Sequence, residues 1–296
     1  MDGRRGPGDL PDDVLDVLDA VARAAGAQVS PVGRLPGGAN AGVTRLRVAG
    51  APDAVVKVEP RLRADHLDDL RRARRVVEHV RARGYPTPAW LAVGQTDTSV
   101  WHVVEHVDAA PAPALTAPLV EQLLAAVELQ AGQATEDHDH AAYAEQVVAR
   151  LVGQRGPLDT GPHAAVVAPL VARLRSAARR VRGAPPSTDV VHADLNPGNV
   201  LVRDGVVVAL VDIANAGRGT RATDLVTLHW HADGPGLDAV RRRLAARVLD
   251  LVGPDAATTL VVTQVVLRLE WRLGLGEPGA VRAAVERGHR ALDDLG

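Results

Sequence analysis

The sequence predicts an α+β chain in two lobes, a small antiparallel-sheet N-lobe with one interposed helix and a larger, mostly helical C-lobe. Three observations predict it. The first hundred residues contain five β-rich runs separated by turn residues. A proline-rich stretch, DAAPAPALTAP at 108–118, then interrupts the chain without periodicity. Beyond it Ala, Leu, Val and Arg recur at helical spacing, broken only by short β-like runs at 190–192 and 200–211. The expected boundaries are therefore an N-lobe over 1–107, a linker over 108–118 and a C-lobe over 119–296. A length of 296 residues is compatible with two such lobes.

In chain order, Val14, Leu15, Leu18, Val21 and Ala22 have the spacing of an amphipathic helix, which Gly26 would end. Three strands are expected at 29–35, 43–48 and 54–58, the first two joined by the turn GGANAG at 37–42. The segment 63–83 has no breaker and predicts a helix, closed by Gly84 and the prolines of PTP at 86–88. Two further strands, 90–93 and 100–107, flank the turn QTDT. In the C-lobe the helical pattern is interrupted at TEDHDH and QRGPLDTGP, gives way to the short hairpin, and resumes from Thr223.

Composition narrows the function. A hydrophobic share of 46% with 24% charged residues is that of an ordinary folded protein. A formal net charge of −2 supplies no strong field for nucleic acid, so a small-molecule partner is expected. No stretch approaches the roughly 20 apolar residues of a membrane span, and the polar, acidic N-terminus has no apolar core behind its arginines. With no cysteine, there is neither a disulfide framework nor a zinc-thiolate site, which suits the cytoplasm. A monomer or homodimer is expected. Of the 34 strong cations only Lys57 is a lysine; Ile213 is the only isoleucine, and the asparagines are Asn40, Asn196, Asn199 and Asn215. Against that background the rare residues are informative.

The strongest local signal is VHADLNPGNVLV at 191–202, in which His192, Asp194 and Asn199 form H-x-D-x-x-x-x-N. Phosphoryl transfer needs a carboxylate to orient an attacking hydroxyl and a nearby amide oxygen to hold a metal against the phosphates. Asn196, Pro197 and Gly198 are turn residues that would carry the chain back past Asp194. Alone, the segment could be an ordinary Asp- and Asn-rich loop. Thirteen residues after Asn199, however, the strand VVVALVDIANAG ends in Asp212, where a second metal-binding carboxylate is needed. Asp224 by itself reads as a helix cap. GGANAG is neither a P-loop nor GxGxxG, and fits a plain hairpin turn as well as a phosphate-covering loop.

Together these residues resemble the aminoglycoside phosphotransferase and choline-kinase-related family of the protein-kinase-like fold, from the strands around Gly38 to the last helices. The resemblance implies a phosphotransferase that moves the γ-phosphoryl group of ATP or GTP, with Mg²⁺, to a hydroxyl of a small molecule such as an aminoglycoside-like antibiotic. It makes Asp194 the catalytic base and Asn199 and Asp212 the metal ligands, with His192 and Asp224 bracing the loop. It places Gly38, Ala39 and Asn40 over the phosphates, and the backbone of Glu105 to Val107 against the adenine. A lysine is expected on the third strand, and AVVKVEP contains Lys57. One lysine placed at random among 34 cationic positions would land there about one time in 34. A compact ammonium also enters between two phosphates more readily than a planar guanidinium.

The chain departs from the pattern in places. The helix glutamate that usually pairs with the strand lysine would fall near Ala73, so Asp69, one turn earlier, is the expected substitute. Asp212-Ile213-Ala214 lacks the aromatic and glycine of a protein kinase, there is no APE signature, and Ala193 stands where such kinases carry arginine. These absences disfavour a regulated protein kinase. A biosynthetic kinase of a peptide Ser/Thr or a metabolic alcohol, and a catalytically silent nucleotide-binding module, are the alternatives. A polycationic acceptor would need acidic lining, for which the loop 136–140, Asp233, Asp238 and Glu270 are candidates. Read as a metal site, that loop lacks helical His spacing and fits a solvated loop better. His229, Trp230 and His231 read as core and surface positions.

Overall fold

The computed structural model describes residues 12–35, 43–135, 138–154, 156, 158 and 161–296. Its contacts group into two compact units. Residues 1–113 together with 198–215 form the first, and 114–197 together with 216–296 the second. The expected phosphate-covering residues Gly38, Ala39 and Asn40 lie outside the described residues, as do Glu136 and Asp137.

In the first unit five antiparallel strands, β1 (Val29–Arg34), β2 (Val43–Val48), β3 (Ala54–Pro60), β4 (Trp90–Gln95) and β5 (Ser99–Glu105), lie in the order β1-β2-β3-β5-β4. Helix α1 (Asp12–Ala25) covers one face. Its Val14, Val17 and Val21 form a buried core with Leu46, Ala54, Val56, Val58, Trp101 and Val103. Alternation along β3 decides what faces where, because successive side chains point to opposite faces. Ala54, Val56 and Val58 go into the core beneath α1, so Val55, Lys57 and Glu59 take the other face. The register sets His102 directly opposite Lys57. Helix α2 (His66–Arg81) connects β3 to β4 and buries Leu70, Ala73, Val76, Val77 and Val80.

The expected linker is partly ordered structure. Ala110–Pro111 form β6, which pairs with β8 (Val200–Arg203), itself hairpinned to β9 (Val206–Leu210). Pro111 is tolerated because β6 is the edge strand of the order β6-β8-β9, where a missing N–H breaks no ladder. Asp204 and Gly205, both at positive φ (54° and 77°), make the two-residue turn of the hairpin. Leu210 N–H donates to Pro86 O at 2.6 Å. These contacts group the hairpin with the first unit, whereas the sequence suggested a C-lobe insertion.

The second unit contains α3 (Ala117–Glu128), α4 (His140–Gly153), α5 (Ala164–Arg180), α6 (Ala222–His231), α7 (Asp238–Leu275) and α8 (Pro278–Leu295). Helix α3 begins inside the expected linker, where Thr116 caps it by accepting from Leu119 N–H at 3.3 Å. Helix α7 is broken at Gly253, whose φ of 74° precedes Pro254. Two short strands, β7 (Asp189–Val191) and β10 (Gly217–Gly219), pair antiparallel. A Cβ at position 217 would fall 2.1 Å from His138 O, so only glycine lets this ribbon pass. Among the described residues, no helix is long and apolar enough to cross a membrane.

Candidate active site

The first unit brings Lys57, Glu59, Asn199 and Asp212 together. Lys57 Nζ donates to Asp212 Oδ1 at 2.8 Å and lies 3.1 Å from Glu59 Oε1. Burial alone would lower the lysine pKa, but the charges and hydrogen bonds of Asp212 and Glu59 outweigh it and leave the ammonium above its ordinary value. Lys57 is thus a fixed cation. Asp69 is not its partner, which corrects the sequence expectation. The Asp69 carboxylate is held by Arg63 and lies 4.0 Å from Arg72, both nearer its own helix turn. Ala73, where the usual glutamate would stand, is packed in the core. Glu59 could have been found from sequence, since residues two apart on a strand share a face.

His102 lies beside Lys57, stacked on Trp90 with ring centroids 4.3 Å apart and an interplanar angle of 3°. Burial first, and then the Lys57 charge, lower its pKa to about 4, so the ring is neutral at physiological pH.

The hairpin strand holds Asn199 and Asp212 near each other. The chain makes a short 3-10 turn at Pro197–Asn199 and runs out along β8 and back along β9, and Val211 N–H donates to Asn199 O at 2.9 Å. Asp212 has a φ of 60°, uncommon for a residue with a side chain. An amide oxygen and a carboxylate are hard donors, and Mg²⁺ commonly takes one or two protein ligands and completes its shell with phosphates and water. The Asp212 side chain is 41% exposed. Among the described residues no group of three or more His, Cys, Asp or Glu could enclose a metal alone. The donor set therefore fits a metal shared with a phosphorylated substrate.

At the other end of β5, Glu105 N–H donates to Ala89 O at 2.9 Å, and its carboxylate lies 3.7 Å from Arg81. Val107 O accepts from Ala109 N–H at 2.9 Å, while Val107 N–H makes no backbone hydrogen bond among the described residues.

The second unit carries His192, Asp194 and Asp224. The Asp224 carboxylate, fully buried, accepts from His192 N–H at 2.8 Å, Ala193 N–H at 2.9 Å and Gln130 Nε2 at 2.7 Å. Burial pushes its pKa up, against those hydrogen bonds and the nearby His192. The grip fixes Ala193 at a φ of 70°, a left-handed conformation costly for a residue with a Cβ. Asp194 follows immediately. Its Oδ1 is 3.1 Å from Arg268 Nη2, its backbone O accepts from Asn196 N–H at 2.9 Å, and its N–H reaches His192 Nδ1 at 3.4 Å. Neither Gln130 nor Arg268 was singled out from the sequence, because nothing local marks partners 94 and 74 residues away.

Asp189, also missed, anchors the strand that leads to His192. It accepts from Gly132 N–H at 2.9 Å and from Arg221 N–H and Nη1, each at 3.0 Å. Burial opposes ionisation, but these bonds prevail and hold the carboxyl below its ordinary 3.8. A depressed acid stabilises the fold fully above its unfolded pKa, and that contribution is lost as pH falls through the lower folded value. We predict that Asp189→Asn is about 2 kcal/mol less stable at pH 7 and shows a shallower stability loss below pH 4 than the wild type. Urea unfolding at several acidic pH values measures both; an unchanged pH slope would remove Asp189 as an anchor.

The described acidic residues expected as acceptor lining each meet an arginine. Asp139 caps α4 through Ala141 and Ala142 N–H and binds Arg218 at 2.7 Å. Asp233 is held by Arg287 and Arg290, Asp238 lies 3.4 Å from Arg241, and Glu270 pairs with Arg150 at 2.9 Å.

An antiparallel-sheet unit bearing a lysine–aspartate pair, and a helical unit bearing a braced H-x-D loop, define a phosphotransferase of the protein-kinase-like fold. The model of the phosphotransferase enzyme family (APH) matches residues 32–258, and the chain belongs to that family. It is a phosphotransferase. No curated protein sequence matches it. Solved structures share its fold. A thermostable mutant of aminoglycoside phosphotransferase APH(4)-Ia, in ternary complex with ADP and hygromycin B, is 14% identical with a TM-score of 0.69, over 94% of this chain and 98% of that one. Amicoumacin kinase hAmiN, in complex with AMP-PNP, Ca²⁺ and Ami, is 13% identical with a TM-score of 0.61, over 96% of each chain. Macrolide 2′-phosphotransferase MphH from Brachybacterium faecium is 17% identical with a TM-score of 0.59, over 94% of this chain and 98% of that one.

Proposed function

We propose that this protein transfers the γ-phosphoryl group of ATP or GTP to a hydroxyl of a small molecule, in a Mg²⁺-dependent reaction. The observation that carries the reading is the Lys57–Asp212 pair at 2.8 Å, with the Asn199 backbone O accepting from Val211 N–H one residue before Asp212. A fixed cation next to hard oxygen donors is what a metal-bound triphosphate requires, which supports the reading. Solved structures of similar fold that hold ADP or AMP-PNP support a nucleotide donor.

In this reading Asp194 accepts a hydrogen bond from the acceptor hydroxyl, orients it in line with the γ-phosphorus and takes its proton. The hydroxyl oxygen forms the new P–O bond as the bond to the β-phosphate oxygen breaks, releasing the nucleoside diphosphate. Lys57 would hold the phosphates, and Asn199 and Asp212 would hold Mg²⁺. When bound, Mg²⁺ neutralises charge on the phosphate oxygens. Glu105 to Val107 receive the base through the backbone, and Asp224, with His192, keeps the loop in shape.

The test is nucleotide consumption by the purified protein with and without Mg²⁺, followed by a mass screen of hydroxylated metabolites and antibiotics for gain of one phosphoryl group. The Lys57→Arg variant should raise the nucleotide KM roughly tenfold or more, the scale of one charge-assisted hydrogen bond. Mg²⁺-independent binding with no turnover on any acceptor would instead indicate a silent nucleotide-binding module. Unchanged kinetics in Lys57→Arg would mean that the lone lysine has no role at the phosphates.

A further inference from the structure

The residues around Asp194 in the second unit carry information about the acceptor. Three guanidinium groups, Arg268 and Arg272 on α7 and Arg287 on α8, act on the charge of His231 at the end of α6, as does the Asp194 carboxylate, and Arg290 on α8 shares Asp233 with Arg287. Arg287 Nε and Arg290 Nη2 are each 2.5 Å from the Asp233 carboxylate. Arg268 has Asp194 as its carboxylate partner, at 3.1 Å. At the end of α6, His231 lies in the field of this cluster. Burial and then the charges of Arg268 and Arg287 lower its pKa to about 4, so it adds no charge of its own. Its Nε2 is buried and has no hydrogen-bond partner among the described residues. A buried ring nitrogen without a partner is costly unless something supplies one.

We propose that the acceptor carries an anionic group, a carboxylate or a phosphate, close to the hydroxyl it presents to Asp194, and that Arg268 and Arg287 bind that group. The inference rests on the reading of Asp194 as the residue that orients the hydroxyl. An acceptor anion can take over Arg268 from Asp194, and the neighbouring guanidinium groups offset the charge it adds. The exchange also removes the Arg268 contact from Asp194 Oδ1, which can then accept from the hydroxyl. His231 Nε2 is then a neutral hydrogen-bonding group for a further polar atom of the acceptor. A polycationic acceptor meets the opposite situation. Asp139, Asp233, Asp238 and Glu270, which could have lined its site, are each engaged by an arginine, and the guanidinium cluster repels it.

The test is isothermal titration of the full-length protein, kept saturated with Mg²⁺ and a non-hydrolysable ATP analogue so that the nucleotide site is filled. Inorganic phosphate, malonate and spermine are the probes. Phosphate or malonate should bind the wild type, and at least roughly tenfold more weakly to Arg268→Gln and to Arg287→Gln, one charge-assisted hydrogen bond in each case. Phosphate alone would indicate a phosphorylated acceptor, and malonate alone a hydroxy acid. The two variants remove different ion pairs, so one remains informative if the other is misfolded by circular dichroism. Binding of spermine, anion affinity unchanged in both variants, or no anion binding to the wild type would each overturn the proposal. The loading step keeps the two readings apart. Failure to bind Mg²⁺ and the ATP analogue at all would count against the phosphotransferase reading, whereas normal loading with no anion response counts only against this one.

Discussion

Asp194→Ala is expected to lower kcat by at least about 10²-fold, the low end of what a positioned general base contributes, while leaving nucleotide affinity near the wild-type value. The split follows from where the residues lie. Lys57, Asn199 and Asp212, which are assigned to the phosphates and metal, belong to the other compact unit, and Asp194 pairs with Arg268 within its own. Asp194 is 35% exposed, so its removal leaves no deeply buried orphan and should cost little stability. Asp194→Asn sharpens the result. It keeps the shape and one oxygen for Arg268 but cannot take a proton, so it too should lose turnover. Steady-state kinetics on any acceptor that gains a phosphoryl group, together with nucleotide titration, would measure both quantities. Near-normal turnover in Asp194→Asn would remove the base assignment; an equal loss in nucleotide affinity would move Asp194 to the nucleotide site.

Much of the first unit was legible because its signals are local. Alternation along AVVKVEP assigns opposite faces to Val56 and Lys57 without any knowledge of neighbouring strands, and the same rule places Glu59 beside Lys57. The H-x-D-x-x-x-x-N spacing and the strand ending at Asp212 are local too. The missing parts are of two kinds. Prolines at 111, 113 and 118 read as a linker, yet Pro111 occupies an edge strand and Pro118 the first turn of a helix, two places where an absent N–H costs nothing. The second kind is pairing across long separations. Gln130 with Asp224, Asp189 with Arg221 and Asp194 with Arg268 are brought together by packing, and no periodicity or turn chemistry marks either member. The arginine partners of the acidic candidates for acceptor lining are hidden from sequence for the same reason. An aspartate in sequence carries no sign of the arginine that will neutralise it, and in a chain with 33 arginines such partners are abundant.

Asp224 offers the other large effect, and it separates bracing from chemistry. Its two oxygens receive three donors, with His192 N–H and Gln130 Nε2 on Oδ2 and Ala193 N–H on Oδ1. Asp224→Ala would strip acceptors from two backbone N–H groups and a buried amide. It is expected to cost about 2–5 kcal/mol, a melting temperature lower by roughly 5–15 °C for a chain of this size. Asp224→Asn distinguishes this account from simple loss of volume. Asparagine presents one oxygen and one NH₂, so at least one of the three donors must face another donor. The near-isosteric change should therefore also destabilise. It should reduce kcat as well, at temperatures where the variant is still folded, because Ala193 loses part of what holds it at a φ of 70° and Asp194 moves with it. Thermal unfolding followed by kinetics well below the lower melting temperature gives the two effects separately. If Asp224→Asn unfolded like the wild type and kept its turnover, the buried carboxylate would be a bystander and the conformation of the loop would have to be set elsewhere. If stability fell but kcat held, Asp224 would support the fold of the second unit without positioning Asp194.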